Sequence, residues 1–119
     1  MSKIHDAVGD LRRLPGVKGV AVVTSDGLVA ATSLEEGLSA DVVAGLSSYL
    51  MMTTNKSLAE GGLGGCARLS LHATHGKAIL VDLTDSYLVV MFDQFADPMS
   101  AHKEIDEAAQ RIRRASRLS

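Results

Sequence analysis

Three groups of residues have the types that nucleotide binding, metal binding or hydrolysis would need. The first is the stretch GLGGCA at residues 62–67, which fits the Gly-x-Gly-x-x-Ala pattern of dinucleotide-binding loops. That chemistry needs a strand before the glycines and a helix after them, because the helix N-terminus holds the pyrophosphate. Here a predicted helix precedes the glycines and a predicted strand follows them. The pattern therefore favours a simple connection between a helix and a strand.

The second group is Cys66, His72 and His75, which have the side chains of a metal site. In an extended strand, the six residues from Cys66 to His72 span about 20 Å, too far for one ion to contact both. His72 and His75 would also point to opposite faces. His72 is better interpreted as a residue on the wet face of a strand and His75 as a turn residue, so no metal and no cofactor are predicted.

The third group would supply a nucleophile and a base: Ser25, Ser86, Asp82, Asp85 and Asp93. Hydrolysis needs a base held against its nucleophile. Ser25, Asp85 and Ser86 lie in predicted turns, where such residues are common. Asp82 is the one acid inside an apolar run, where a position near a strand end is favoured. The sequence therefore predicts a protein that is not an enzyme.

Composition excludes several further classes. The net charge of −2 over 119 residues gives no electrostatic reason to expect nucleic acid as a partner. The last helix has acids near its start and arginines near its end, as the helix dipole favours. These arginines are therefore better interpreted as a solvated helix end than as a nucleic-acid surface. The single cysteine suits a reducing compartment. The sequence contains no run of about 18 apolar residues, so no membrane span is predicted. We expect a cytoplasmic protein with one domain over residues 1–119.

The elements follow from hydrophobic periodicity and turn residues. Asp26-Gly27 provides the positive φ of a tight hairpin turn. Ser39 and Asp97-Pro98 are typical helix starts. The predicted order is α-β-β-α-β-β-β-α: helix 3–13, strands 17–24 and 28–33, helix 40–60, strands 67–74, 77–83 and 87–93, and a helix from 98 to about 117.

The strands differ in kind, which predicts their places in the sheet. GVAVV, AILV and LVVMF are continuous apolar runs, typical of strands buried on both faces. ARLSLHAT alternates, so it is predicted to be one edge, with LVAATS as the other. The fold class predicted is α/β: a five-stranded, mainly antiparallel sheet in a three-layer sandwich, with the long helix on one face and the other two on the opposite face.

The long predicted helix has no charge over fourteen residues, VVAGLSSYLMMTTN at 42–55. A helix that is apolar or small nearly all round is buried nearly all round, yet one sheet covers only one side. We expect Val43, Leu46 and Leu50 to face the sheet, with Ala44 on the outer, small-residue side. That outer side then favours a second protein chain as its cover, the alternative being a lone helix with a small, uncharged exterior.

The hairpin GVKGVAVVTSDGLVAATS, the long helix, the glycine-rich EGGLGGCARLSL and the closing elements resemble the Roadblock/dynein light chain family, which includes the bacterial MglB-type regulators. The resemblance covers roughly residues 4–115. It implies pairing through the middle helix and the third strand into a ten-stranded sheet. A homodimer of this kind would use the following residues: Val42, Gly45, Ser48, Tyr49, Met52, Asn55, Arg68, Ser70 and His72.

The same resemblance implies a regulatory or scaffold function. Such dimers bind Ras-like GTPases, of the MglA type for MglB, or form platforms in polarity, motility or signalling complexes. No family motif residue is catalytic, so GTPase activation and an adaptor role both stay open, as do another roadblock protein or a response regulator as partner. A small-molecule sensor is the alternative. The predicted partner surface consists of Ala44, Ser48, Asn55, Lys56 and Glu60.

Overall fold

The computed structural model describes residues 2–117 and the side chains of residues 3–116. The predicted order of elements is confirmed, while the ends of the predicted domain, residues 1, 118 and 119, lie outside the described part. The elements are α1 (Ser2–Arg12), β1 (Val17–Thr24), β2 (Val29–Leu34), α2 (Ala40–Glu60), β3 (Arg68–Ala73), β4 (Gly76–Asp82), β5 (Ser86–Asp93), a 3-10 helix (Pro98–Ala101) and α3 (His102–Arg117).

The five strands form one sheet in the order β2-β1-β5-β4-β3, and every neighbouring pair is antiparallel. The three strands with continuous apolar runs, β1, β5 and β4, are central. The two strands with weaker runs, β2 and β3, are the edges, as predicted. The fold is therefore the predicted α/β sandwich around a five-stranded antiparallel sheet.

Each face of the sheet has its own hydrophobic core. Successive side chains of a strand point to opposite faces, so Val20 and Val22 of β1 pack with α1 and α3. Ala21 and Val23 pack instead with α2. The first core also contains the buried stripe of α3, including Ile105 and Ile112. The prediction of one helix over one face and two helices over the other is confirmed.

Arginines fix the two helices of the first face to each other and to the sheet. Arg111 Nη1 donates to Asp10 Oδ2 at 2.9 Å, which links α3 to α1. Arg113 Nη2 donates to the carbonyl oxygen of Asp82 at 2.7 Å, beside the β4–β5 turn. The hydrogen bond from Arg111 holds the pKa of the Asp10 carboxyl below its usual value of 3.8.

The prediction of which side of α2 faces the sheet is right for Val43, which packs against the core on this face, and wrong for Leu46. The residues buried there are Ala44, Ser47 and Met51, whereas Leu46 is 59% exposed. Ala44 is fully buried, so its predicted place on a partner surface is also wrong. Met51 fills the core on this side, and the small side chains of Ala44 and Ser47 let the helix backbone lie close to the sheet.

No helix within residues 2–117 combines the length and the apolar character that crossing a membrane requires.

Candidate functional site

The main candidate site is an apolar stripe along the outer side of α2. Val42, Leu46, Tyr49 and Met52 make up this α2 stripe, and each is 57–61% exposed. Their spacings of four, three and three residues place them along one side of a helix. Gly45 lies between them, and a Cβ built there meets no atom within 4 Å. A contiguous exposed apolar surface of this kind is typical of a protein–protein contact.

Two predicted interface residues, Ser48 and Asn55, make hydrogen bonds within the chain. Ser48 Oγ donates to the carbonyl oxygen of Ser25 at 2.8 Å, which ties α2 to the β1–β2 turn. Asn55 Oδ1 accepts from the backbone N–H of Cys66 at 2.6 Å, which ties the helix to the segment before β3. Both residues are half-buried. They position the α2 stripe from the flank of the helix.

The β1–β2 turn lies very close to α2. Gly27 has φ +88°, and a Cβ there would lie 3.8 Å from Ser48 Cβ and 4.0 Å from Gly45 Cα. The positive φ makes glycine the natural residue at this turn position. The turn thus supports the N-terminal half of the helix that carries the stripe.

The C-terminal end of α2 provides the only cation of this helix. Lys56 and Glu60 are both exposed, and Asp41 in the first turn is the other charged residue. The predicted partner surface therefore keeps Lys56 and Glu60 as fully accessible members. An apolar stripe with so few charges suits packing more than electrostatic attraction.

The predicted residues of β3 lie on the face of the sheet opposite α2. Arg68 Nη1 donates to Asp106 Oδ1 of α3 at 2.8 Å. Ser70 and His72 are exposed and line a cavity on that same side. Leu69, one position away, packs on the α2 side. The predicted interface residues of α2 and those of β3 therefore lie on opposite faces of the sheet. A partner chain at the free edge of β3 could contact both groups.

The candidate acids of a hydrolase serve turns. Asp82 Oδ1 accepts from the backbone N–H of Thr84, and Asp93 Oδ1 accepts from that of Phe95, each at 2.8 Å. Within residues 2–117, no group of three or more His, Cys, Asp or Glu side chains is arranged to hold a metal ion. The glycine-rich loop connects α2 to β3, as the sequence predicts.

Sequence reasoning missed Leu46 as a surface residue and gave no role to Phe95 or Met99. Phe95 is 87% exposed and Met99 is 69% exposed. A signal was present for Phe95, because its neighbours Asp93, Gln94 and Asp97-Pro98 are typical of a turn.

The fold and the stripe define a small domain built to present one helix. A model of the Roadblock/LC7 domain matches residues 3–92, and the chain belongs to that family. The uncharacterized protein MJ0714 of Methanocaldococcus jannaschii is 35% identical over 92 residues, which cover 77% of this chain and 78% of that protein.

Two solved structures have the same fold. Myxococcus xanthus MglB superposes with a TM-score of 0.92 at 14% identity, over 100% of this chain and 98% of that chain. The gliding protein MglB of Thermus thermophilus superposes with a TM-score of 0.87 at 14% identity, over 99% and 91% of the two chains. Both establish similarity of fold.

Proposed function

We propose that this chain is a non-catalytic regulator that forms a homodimer and binds a Ras-like small GTPase. The observation that carries the proposal is the α2 stripe, four large apolar side chains exposed side by side on one helix. Burying such side chains stabilises a complex by about 1.5–3 kcal/mol for each fully covered one. The family resemblance supports a second copy of α2 as the cover.

The partner surface of the proposed dimer lies beside the paired α2 helices. Lys56 and Glu60 are the accessible charged residues at the C-terminal end of each helix. A flat, weakly charged surface can order a loop of a GTPase through packing and backbone contacts. The fold shared with MglB supports this class of partner, and a role in a polarity, motility or signalling complex is the wider setting of the proposal.

The chain should supply no catalytic arginine to its partner. The residues of α2 include no arginine. Arg68 is bound to Asp106, and Arg12 donates to the carbonyl oxygen of Val17. Arg111 and Arg113 bind Asp10 and Asp82, as described above. Any acceleration of GTP hydrolysis should therefore come from ordering residues of the GTPase itself.

The test has a binding arm and a hydrolysis arm. Tagged wild-type protein is incubated with native cytosol loaded with GDP or a GTP analogue, and a captured Ras-like GTPase supports the proposal. Single-turnover hydrolysis is then compared between the wild type and each arginine-to-alanine variant. Loss of about a thousandfold from one substitution, with binding intact, would identify an arginine finger and contradict the proposed mechanism.

The adaptor role gives a different result in the same experiment. Binding without acceleration by the wild type selects an adaptor. Capture of another roadblock protein or of a response regulator, without a GTPase, contradicts the GTPase proposal. Tyr49→Glu serves as the control variant, because it places a charge in the stripe and should reduce capture if the paired helices form the surface.

A further inference from the structure

A second exposed apolar feature lies on the other face of the sheet, at the connection from β5 to α3. Phe95 and Met99 are 87% and 69% exposed, and we call these two residues the 95/99 lip. Phe95 is the most exposed large apolar side chain among those of the described residues. Single exposed apolar residues are ordinary, so the lip needs further evidence before it indicates a contact.

That evidence begins with how firmly the backbone of the lip is held. The N–H of Phe95 donates to Asp93 Oδ1 at 2.8 Å, and the N–H of Met99 donates to Asp97 Oδ1 at 3.1 Å. Between them, Lys77 Nζ donates to the carbonyl oxygen of Ala96 at 2.7 Å. A connection fixed at three points presents its side chains in one place, which lowers the entropy cost of binding.

The lip lies beside the free edge of the sheet. It lines an open cavity of about 270 Å³ together with Ser70 and His72 of β3. The register of β3 with β4 is regular over all six residues, whereas β2, the other edge, is paired through a bulge. A bulge protects an edge strand from further pairing. The edge of β3 carries neither a bulge nor a proline, so it is the one suited to pairing.

The α2 stripe alone is too small to hold a stable dimer. Burial of one large apolar side chain is worth about 1.5–3 kcal/mol at about 25 cal/mol per Å², which corresponds to roughly 60–120 Å². Four such residues give at most about 500 Å², compared with about 800 Å² per partner in a standard interface. A dimer formed through the stripe therefore needs more contact area, and the pairing of two β3 strands would provide only part of it.

We infer that the 95/99 lip adds to this contact area, and that it contacts β3 of a second copy of this chain. The inference rests on the proposed homodimer. When two β3 strands pair in antiparallel fashion, residues directly opposite each other have side chains on the same face. His72 then lies opposite Arg68 or Ser70 of the other copy, in registers centred on Ser70 or Leu71.

The lip then covers the pairing of the two β3 strands from the face opposite α2. The α2 helices then hold the two copies together on one face of the sheet, and the two lips do so on the other face. If the register is centred on Ser70, Arg68 of one copy lies opposite His72 of the other, and His72 lines the same cavity as Phe95. Contacts on both faces would prevent the two sheets from rocking about the strand pair.

The test measures dimer dissociation constants by sedimentation equilibrium for Phe95→Ser and Met99→Ser. Leu28→Ser is the matched control, because Leu28 is 63% exposed but lies at the β2 edge, across the sheet from β3. We expect Phe95→Ser to raise the dissociation constant at least tenfold and Leu28→Ser to leave it within twofold. Circular dichroism should show all three variants folded, since each changes an exposed side chain.

A photo-crosslinking phenylalanine analogue at position 95 provides the positive arm. We expect a covalent dimer on a denaturing gel, with the crosslink mapped to residues 68–73 of the other copy. A dimer that Tyr49→Glu dissociates but Phe95→Ser and Met99→Ser leave intact overturns the inference and keeps the proposed dimer. A crosslink to another protein alone also overturns it. A monomeric wild type contradicts both proposals.

Discussion

Leu46 and Met51 lie on opposite sides of α2. Truncation of Leu46 should therefore affect assembly, whereas truncation of Met51 should affect folding. Leu46 is 59% exposed, whereas Met51 is fully buried against the sheet. We expect Leu46→Ala to leave the folded monomer stable and to weaken the proposed dimer. We expect Met51→Ala to destabilise the monomer itself.

The magnitudes follow from the exposed fractions. Covering the exposed part of Leu46, about six-tenths of a side chain whose full burial is worth about 1.5–3 kcal/mol, contributes about 1–2 kcal/mol per copy. A symmetric dimer contains two copies, so Leu46→Ala should cost about 2–4 kcal/mol of dimer stability, or about 30- to 1,000-fold in the dissociation constant. Met51→Ala removes a fully buried side chain and should cost the monomer about 2–5 kcal/mol.

Two measurements separate these effects. Sedimentation equilibrium gives the dissociation constant, and urea unfolding gives the free energy of unfolding. Unfolding is measured at a protein concentration well below the dissociation constant, because dimer formation otherwise adds to the apparent stability. If Leu46→Ala destabilises the dilute monomer as much as Met51→Ala does, the assignment of the two sides of α2 is refuted. An unchanged dissociation constant would refute the role of the stripe.

Three further predictions concern the supports of the fold. Asn55→Ala removes the acceptor of the Cys66 N–H, so the free energy of unfolding in urea should fall by about 1–3 kcal/mol. Asn55→Asp keeps an acceptor oxygen and should retain most of that free energy. Because Arg111 lowers the pKa of Asp10, the pair stabilises the fold above pH about 4. That contribution should disappear as the pH falls through the lowered pKa of Asp10. Asp10→Asn should therefore remove this pair's share of the difference in unfolding free energy between pH 6 and pH 2.5. Thr84 has φ +82°, which is costly for a β-branched residue, so Thr84→Asn should raise the thermal midpoint; a lowered midpoint would contradict this reasoning.

Much of the fold could be predicted because the strands carry unambiguous patterns. The run GVAVV predicts a central strand, and β1 is paired on both sides. The alternation in ARLSLHAT predicts an edge strand, and β3 is one. The ends of elements were less predictable, by one or two residues, since strand ends depend on pairing with distant residues. The predicted strand 67–74, for example, is paired only over Arg68–Ala73.

The orientation of α2 could not be predicted, because large apolar residues occur on both of its sides. The apolar pattern predicts Leu46 in the core and Ala44 on the outer side. In the structure, the β1–β2 turn packs against the flank of α2 at Gly45 and Ser48, and Ser48 Oγ donates to the carbonyl oxygen of Ser25 in that turn. That approach depends on residues some twenty positions away, and no periodicity within α2 encodes it.

The candidate site was predictable in part for the same physical reason. Val42, Tyr49 and Met52 are exposed as the prediction requires, but their role as interface residues stays a prediction. Ser48 and Asn55 look like the polar rim of an interface, yet each has a backbone partner in the same chain. A short polar side chain has several ways to be satisfied, and the sequence alone does not select among them.

The distribution of side-chain size around α2 argues for assembly more strongly than its lack of charge does. A helix that only had to complete a monomer would place its largest apolar side chains against the sheet and its small ones outside. Here Met51 is the one large side chain of α2 that is fully buried against the sheet, beside Ala44 and Ser47, while Leu46 and Tyr49 face outward. Outward apolar residues give a monomer little stability and increase its tendency to aggregate. Their presence on this helix is expected if a second chain covers them, and the separation of the two sides lets dimer affinity change with little effect on the folding of each copy.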